Sequence, residues 1–157
     1  MERCALLAVD LGLKTGLAFF DRAGRVLAYR SQHFGSPDSL RRAARHLVRD
    51  LPHLECLVLE GGGTLADLWE HVATRAAVSV HHVSAERWRQ LLLKPRDQRT
   101  GPVAKQRADT LARRVIEWSG APRPTSLRHD AAEAILIGLW AAIELGWLPD
   151  LPAELRR

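Results

Sequence analysis

Cysteine is scarce in this sequence, and long apolar runs, internal repeats and low-complexity segments are absent. Only Cys4 and Cys56 are cysteines, which excludes a disulfide framework and a cysteine-based zinc site. The first apolar run stops at Asp10, too early for a signal peptide or a transmembrane span. We therefore expect a soluble protein of a reducing compartment, located in the cytoplasm, without a membrane partner.

Size and charge narrow the class of protein further. The 157 residues suffice for one compact domain with its own core, so we predict a single domain over residues 1–157. A composition of 46% hydrophobic and 26% charged residues excludes wholesale disorder and a coiled coil. Acidic residues number 18 against 23 Lys and Arg, which gives a net charge of +5. This balance favours a polyanionic partner.

Apolar runs and turn residues predict an α/β domain that begins with a three-stranded meander. The predicted strands cover residues 4–9, 17–20, 25–29, 56–59 and 78–83. The predicted helices are one that Ser36 caps, one over 64–77, one that Ser84 caps, and two over 103–118 and 130–145. Residues 94–102 are basic and rich in turn residues, so we expect an exposed loop there.

Four carboxylates stand at the ends of these predicted elements. Asp10 ends the first strand and Glu60 ends the fourth, and adjacent parallel strands bring their last residues together at one sheet edge. Asp130 and Glu133 begin the last helix with a spacing of three, which puts them on one helix face, directed towards the sheet. The sequence therefore predicts a cluster of acids at one edge of the sheet.

Crowded carboxylates repel one another unless cations neutralise them. Oxygen ligands favour a hard divalent ion, Mg²⁺ or Mn²⁺. Two such ions about 4 Å apart activate a water and stabilise the leaving oxygen of a phosphodiester. The alternative interpretation is that each acid is solvated or caps a helix, as Asp130 alone would do. Asp10, Glu60 and the pair of Asp130 and Glu133 make three such positions, and their coincidence favours the metal site.

Basic residues concentrate between positions 94 and 114. A solvated helix face explains some of them, but their position just before the acidic helix favours contacts with phosphates. Lys14, in the first turn, is a further candidate. The predicted nucleic-acid contacts are Lys14, Lys94, Arg96, Arg99, Lys105, Arg107 and Arg114.

Four segments, in this order along the chain, resemble the RuvC-like Holliday junction resolvases of the ribonuclease H-like superfamily. They are LAVDLGLKTGLAFFD around Asp10, LVLEGGG around Glu60, GPVAK at Lys105, and HDAAEAILIGLWA around Asp130 and Glu133. The resemblance runs from about residue 5 to residue 145. It implies a ribonuclease H-like fold, with a five-stranded mixed sheet flanked by helices. The family's last acid is typically Asp, whereas Glu133 is one methylene longer.

The resemblance also implies an activity. It implies a metal-dependent endonuclease that cuts DNA at four-way junctions by a two-metal mechanism, acts in recombination and repair, and works as a homodimer. Asp10, Glu60, Asp130 and Glu133 would hold two Mg²⁺ or Mn²⁺ ions. Lys105 matches a family lysine near the scissile phosphate, where its charge would stabilise the transition state.

Two other functions stay open at this point. A YqgF-type RNA-processing nuclease, or a nuclease acting on RNA–DNA hybrids, would need the same four acids. A non-catalytic nucleic-acid-binding module of the same fold would be expected to lose one or more of them, and all four are present. His129, next to Asp130, is interpreted as a surface or capping residue rather than a ligand.

Overall fold

The computed structural model describes residues 1–156 and contains one mixed sheet of five strands. The strands are β1 (Leu6–Asp10), β2 (Lys14–Phe20), β3 (Val26–His33), β4 (Cys56–Glu60) and β5 (Ser79–Val83). Their order across the sheet is β3-β2-β1-β4-β5; β2 runs antiparallel to its neighbours β1 and β3, and β4 runs parallel to its neighbours β1 and β5. The predicted meander and the five-stranded mixed sheet are both confirmed.

In the described part of the chain, five α-helices connect and cover the strands. They are α1 (Pro37–Arg49), α2 (Gly63–Arg75), α3 (Ala85–Leu92), α4 (Gly101–Ser119) and α5 (His129–Glu144). Short 3₁₀ helices lie at Pro95–Gln98 and Ala153–Leu155. Within residues 1–156, no helix has both the length and the apolar composition that a bilayer crossing needs.

Several predicted boundaries are wrong. β2 begins at Lys14 rather than at Leu17, so Lys14 lies in a strand and not in the preceding turn, and β3 extends to His33 rather than ending at Tyr29.

The expected exposed loop over residues 94–102 contains the first 3₁₀ helix, and α4 begins at Gly101 rather than at Val103. Thr100 caps α4, because its side chain accepts a hydrogen bond from the backbone N–H of Val103. Pro102 fits the first turn, where a missing N–H leaves no hydrogen bond unmade.

The sheet separates two apolar layers. Leu7 and Val9 of β1 face α1 and α2, while Leu6 and Ala8 face α3, α4 and α5. This alternation follows from the pleat of a strand, which directs successive side chains to opposite faces. Because both faces are covered, β1 reads as a continuous apolar run that ends only at Asp10.

Helix α5 approaches β2 closely, and two glycines permit it. A Cβ added to Gly16 would lie 2.0 Å from the carbonyl oxygen of Asp130, and one added to Gly138 would lie 2.0 Å from the ring of Phe20. Gly16 is the register partner of Asp10. The close approach therefore brings the first turn of α5 to the end of β1, where the acids of the sheet lie.

Candidate active site

Three of the four predicted acids meet at the edge of the sheet. Asp10 and Glu60 are register partners at the ends of the parallel strands β1 and β4. Glu133 reaches them from the first turns of α5, and one carboxylate oxygen from each of the three lies within 4.8 Å of the other two. The sheet edge and the helix thus form a compact cluster of hard oxygen donors, which we call the acid triad.

Asp130 lies beside the triad rather than within it. Its carboxylate is buried, and Oδ2 accepts a hydrogen bond from the Ser31 hydroxyl at 2.5 Å. The capping interpretation of Asp130 is wrong, because the cap position of α5 is Arg128 and no side chain caps that helix. Asp130 is nevertheless close enough to Asp10 for its charge to raise the Asp10 pKa.

Burial and mutual repulsion change the acidity of the triad. Burial, followed by the negative charges of Glu133, Glu60 and Asp130, raises the pKa of Asp10 to about 8. Burial and Glu133 likewise raise the pKa of Glu60, while Trp88 and Arg89 oppose that rise. Without a cation, the cluster is therefore expected to retain a proton at neutral pH.

The donor set fits a hard divalent cation. Glu60 Oε2 is buried and, among residues 1–156, has no hydrogen-bond partner. The indole nitrogen of Trp88 is close enough to lower the pKa of Glu60, but within the described residues it too lacks a hydrogen-bond partner of normal geometry. A buried carboxylate oxygen without a partner is costly, and a cation would stabilise it. Carboxylate oxygens are the ligands that Mg²⁺ and Mn²⁺ prefer.

Two neighbours hold Glu133, and one of them was not predicted. Arg89 Nη2 donates a hydrogen bond to Glu133 Oε1 at 3.1 Å, and His129 Nε2 lies 3.1 Å from the same oxygen. The surface interpretation of His129 accounts for its partial exposure but not for this contact. Arg89 belongs to no motif. The available signal was its place on the helix that follows β5, which ends at the same sheet edge as Glu60.

The predicted nucleic-acid contacts occupy several elements. Lys14 begins β2, Lys94, Arg96 and Arg99 surround the first 3₁₀ helix, and Lys105, Arg107 and Arg114 lie on α4. All are exposed except Arg114, which is partly buried. Within residues 1–156, none of the seven forms an ion pair with a triad carboxylate. Lys105 in particular is not joined to the acids by a direct contact.

A chain of contacts nevertheless connects the basic segment to the triad. Gln98 Nε2 donates hydrogen bonds to the carbonyl oxygens of Arg89, at 3.3 Å, and Leu93, at 3.2 Å. These bonds fix the first 3₁₀ helix against α3, and Arg89 of α3 contacts Glu133. Beside Gln98, the Asp97 carboxylate pairs with Arg107 of α4 at 3.4 Å. The basic residues between positions 94 and 114 are thus held at a fixed position relative to the acid triad, through α3.

The fold is of the ribonuclease H-like class, in the form found in RuvC. It is similar to the structure described as T. thermophilus RuvC in complex with Holliday junction substrate, with a TM-score of 0.65 and 17% identity over 90% of this chain and 94% of that chain. A second structure of Thermus thermophilus RuvC matches with a TM-score of 0.60 and 15% identity over 90% and 96% of the two chains. No protein-family model and no curated protein matches this sequence. At these identities the likeness establishes the fold alone.

Proposed function

We propose that this protein is a metal-dependent endonuclease that hydrolyses phosphodiester bonds in branched DNA. The observation that carries the proposal is the acid triad, a compact set of one buried and two half-buried carboxylates that includes, within residues 1–156, an oxygen without a hydrogen-bond partner. A buried like-charge cluster destabilises a fold unless a cation completes it. Its position at the carboxyl ends of parallel strands is where open α/β sheets bind ligands.

Asp10, Glu60 and Glu133 are the proposed metal ligands, and Asp130 is proposed as the fourth. Two bound Mg²⁺ or Mn²⁺ ions would supply an activated water and stabilise the charge that develops on the leaving oxygen. Arg89 and His129 orient Glu133 by contacting one of its oxygens, and Ser31 orients Asp130 in the same way. Such neighbours fix the direction of a ligand and tune its basicity.

Phosphate contacts are proposed for the seven basic residues named above. Lys14 lies in the strand that pairs with β1, two residues before the register partner of Asp10. Lys105 is proposed to stabilise the negative charge of the transition state, a role that needs its charge but not the loss of a proton. Branched DNA is the proposed substrate because one similar structure is a RuvC bound to a Holliday junction substrate.

A homodimer is also proposed, since cutting a junction requires two strands to be hydrolysed. Two copies would present two acid triads to one substrate. Sedimentation velocity of the protein, with and without a four-way junction, tests this point. A species that contains a single protein chain, both alone and on the junction, would contradict the proposed homodimer. A dimeric junction nuclease of this kind would act in DNA recombination and repair, and a cytoplasmic location fits that role.

Cleavage assays with four substrates test the proposed activity. Purified protein is incubated with a four-way junction, a linear duplex, a single strand and an RNA–DNA hybrid, each with Mg²⁺ or Mn²⁺. We expect metal-dependent cleavage of the junction in preference to the other three. Asp10→Asn should reduce cleavage to background while DNA binding persists. Asp38→Asn is the matched control, because Asp38 is an exposed acid on α1 that pairs with Arg41, away from the triad.

Each contrary outcome points to a particular alternative. Preferred cleavage of the hybrid or of RNA would favour an RNA-processing or hybrid nuclease with the same acids. DNA binding without cleavage by the unmodified protein would favour a non-catalytic module. Unchanged cleavage by Asp10→Asn would refute the assignment of the triad.

A further inference from the structure

A groove opens on the helical side of the molecule between α3, the two 3₁₀ helices and α4. Its volume is about 410 Å³. The wall is apolar, because Leu92, Leu93, Leu111 and Leu155 line it with side chains that are otherwise buried. Leu91, at the rim, is 40% exposed, which is unusual for a large apolar residue in this protein. Leu91 is thus the most exposed apolar side chain of the groove, above a floor of leucines that are 3% to 7% exposed.

Cations surround this apolar wall. Lys94, Arg96, Arg107 and Arg114 line the groove, with Asp97 as the acid among them. Asp97 pairs with Arg107 at 3.4 Å and lies 4.0 Å from Arg96, so it neutralises part of this charge. Arg156 also lines the groove, but its guanidinium is paired with Asp150 at 2.9 Å. Lys94 and Arg114 form no ion pair within residues 1–156, and the rim retains a net positive charge.

We propose that this groove holds one unstacked nucleotide of the bound nucleic acid. The leucine wall suits the face of a base, and the cations suit the phosphates on either side of it. Arginine side chains also stack on exposed bases, which is a common mode of recognition for unpaired nucleotides. A volume of about 410 Å³ is within the range of small-ligand pockets and far too small for a duplex.

The proposal rests on the proposed function and makes its substrate more specific. The groove shares Arg107 and the first 3₁₀ helix with the chain of contacts that reaches Glu133 through Gln98 and Arg89. A nucleotide in the groove would therefore be held at a fixed position relative to the acid triad. Regular duplex DNA keeps every base stacked on both faces, whereas a bulge presents an unpaired base and a branch point interrupts the stacking of the base pairs beside it. The groove would thus favour distorted DNA over regular duplex.

Binding to two matched duplexes tests the proposal. One labelled duplex carries a single unpaired adenosine, and the other has an abasic tetrahydrofuran at the same position. Fluorescence anisotropy in EDTA measures affinity without cleavage. We expect the abasic duplex to bind about tenfold more weakly, in line with the contribution of one base contact. The phosphate backbone is the same in both, so this ratio reports the base alone.

Three variants locate the effect. Thr110→Phe fills the groove from its exposed edge, and Arg114→Ala removes a cation from its rim. Both should reduce the ratio between the two duplexes to about one, because Thr110→Phe occupies the space of the base and Arg114→Ala removes the guanidinium that would stack on it. Arg113→Ala is the matched control, because this neighbouring arginine pairs with Asp109 at 2.9 Å and does not line the groove. It should keep the tenfold ratio.

The outcomes separate this proposal from the proposed function. Equal binding of the two duplexes by the unmodified protein would overturn the groove proposal and leave the nuclease proposal intact. No binding to either duplex, or to a four-way junction, would contradict both. Competition by an acidic, leucine-containing peptide, together with a ratio of one, would assign the groove to a protein segment instead. A tenfold ratio that persists in both Thr110→Phe and Arg114→Ala would also overturn the proposal that the groove holds a nucleotide.

Discussion

Asp10 shows most clearly how one residue's surroundings oppose its charge. The carboxylate is partly buried, and three other carboxylates act on it. Its pKa of about 8 means that the folded protein holds a proton there across most of the physiological range. The unfolded chain releases that proton near pH 4, since a free Asp has a pKa of about 3.9.

This difference predicts how stability depends on pH. Between pH 4 and pH 8 the folded state binds more protons than the unfolded state, so the free energy of unfolding falls as pH rises. Thermal melting in EDTA should therefore show a melting temperature that decreases towards pH 8. The slope of melting temperature against pH should be smaller in Asp10→Asn than in the unmodified protein, and unchanged in Asp38→Asn. Added Mn²⁺ should raise the melting temperature at pH 8 in the unmodified protein but much less in Asp10→Asn. A melting temperature that rises towards pH 8 in EDTA would contradict this account.

Arg89 is predicted to stabilise the folded protein through Glu133. The Glu133 side chain is 10% exposed, so loss of its cationic partner leaves a nearly buried carboxylate poorly compensated. Arg89→Met should cost about 2 kcal/mol in the free energy of unfolding, measured by urea denaturation in EDTA. Arg45→Met, an exposed site on α1, should change it by less than about 0.5 kcal/mol.

A second substitution distinguishes the Arg89 charge from its packing. If Arg89 acts through Glu133, the cost of Arg89→Met should shrink when Glu133→Gln is already present. An equal cost in both backgrounds would mean that Arg89 contributes by contact with Trp88 instead, whose ring centroid lies 5.2 Å from the guanidinium carbon.

Residue identities at the site were predictable only where an element's end marks them. Asp10 and Glu60 could be found because each terminates an apolar strand, and Glu133 because it follows Asp130 by three positions. No motif marks Arg89 or Ser31, and their contacts span 44 and 99 positions of the chain; for Arg89 the sequence offers only its place on the helix after β5. Such contacts depend on how helices pack on the sheet, which local patterns do not specify.

At the scale of elements, the approach of α5 to β2 decides whether the triad can form. The Cβ of an alanine at position 16 would meet backbone atoms of Asp130, which cannot rotate away as a side chain can. The first turn of α5 would have to move, and Glu133 would move with it. Gly16→Ala should therefore weaken Mn²⁺ binding at least tenfold, measured by calorimetry, and should also lower the melting temperature.

Gly138→Ala is the matched control for Gly16→Ala on the same helix. Its Cβ would meet the ring of buried Phe20, so overpacking should cost about 1 to 3 kcal/mol of stability. Position 138 lies five residues beyond Glu133, and the triad should keep its affinity for Mn²⁺. Equal loss of Mn²⁺ binding in the two variants would show that general destabilisation, rather than the position of α5, controls the site.

The order and type of the elements followed from sequence patterns, but their fine boundaries did not. The start of α4 was predicted two residues late because Gly101 and Pro102 are turn residues in most contexts. In the folded chain, the Thr100 cap turns the same two residues into a helix start. The 3₁₀ helix at Pro95–Gln98 was missed because Gln98 bonds to carbonyl oxygens of α3, a contact that the loop composition does not reveal.

For the molecule as a whole, the net charge of +5 conceals a separation of charge. Acids cluster at the sheet edge, while basic residues concentrate on the first 3₁₀ helix and α4. Affinity for DNA should therefore fall steeply as salt increases, because phosphate contacts release counterions. Lys105→Ala should reduce the slope of log affinity against log salt by about one unit. A slope equal to that of the unmodified protein would remove Lys105 from the interface.

The two buried cysteines have a consequence for the chemistry of the intact molecule. Burial raises the pKa of the Cys4 thiol to about 11 and that of Cys56 to about 12, so both stay protonated and unreactive while the fold is closed. Cys56 begins the strand that ends in Glu60, and Cys4 precedes the strand that ends in Asp10. An alkylating reagent would thus modify only molecules in which the centre of the sheet has opened. The rate of cysteine alkylation would therefore measure how often the strands that support the acid triad open.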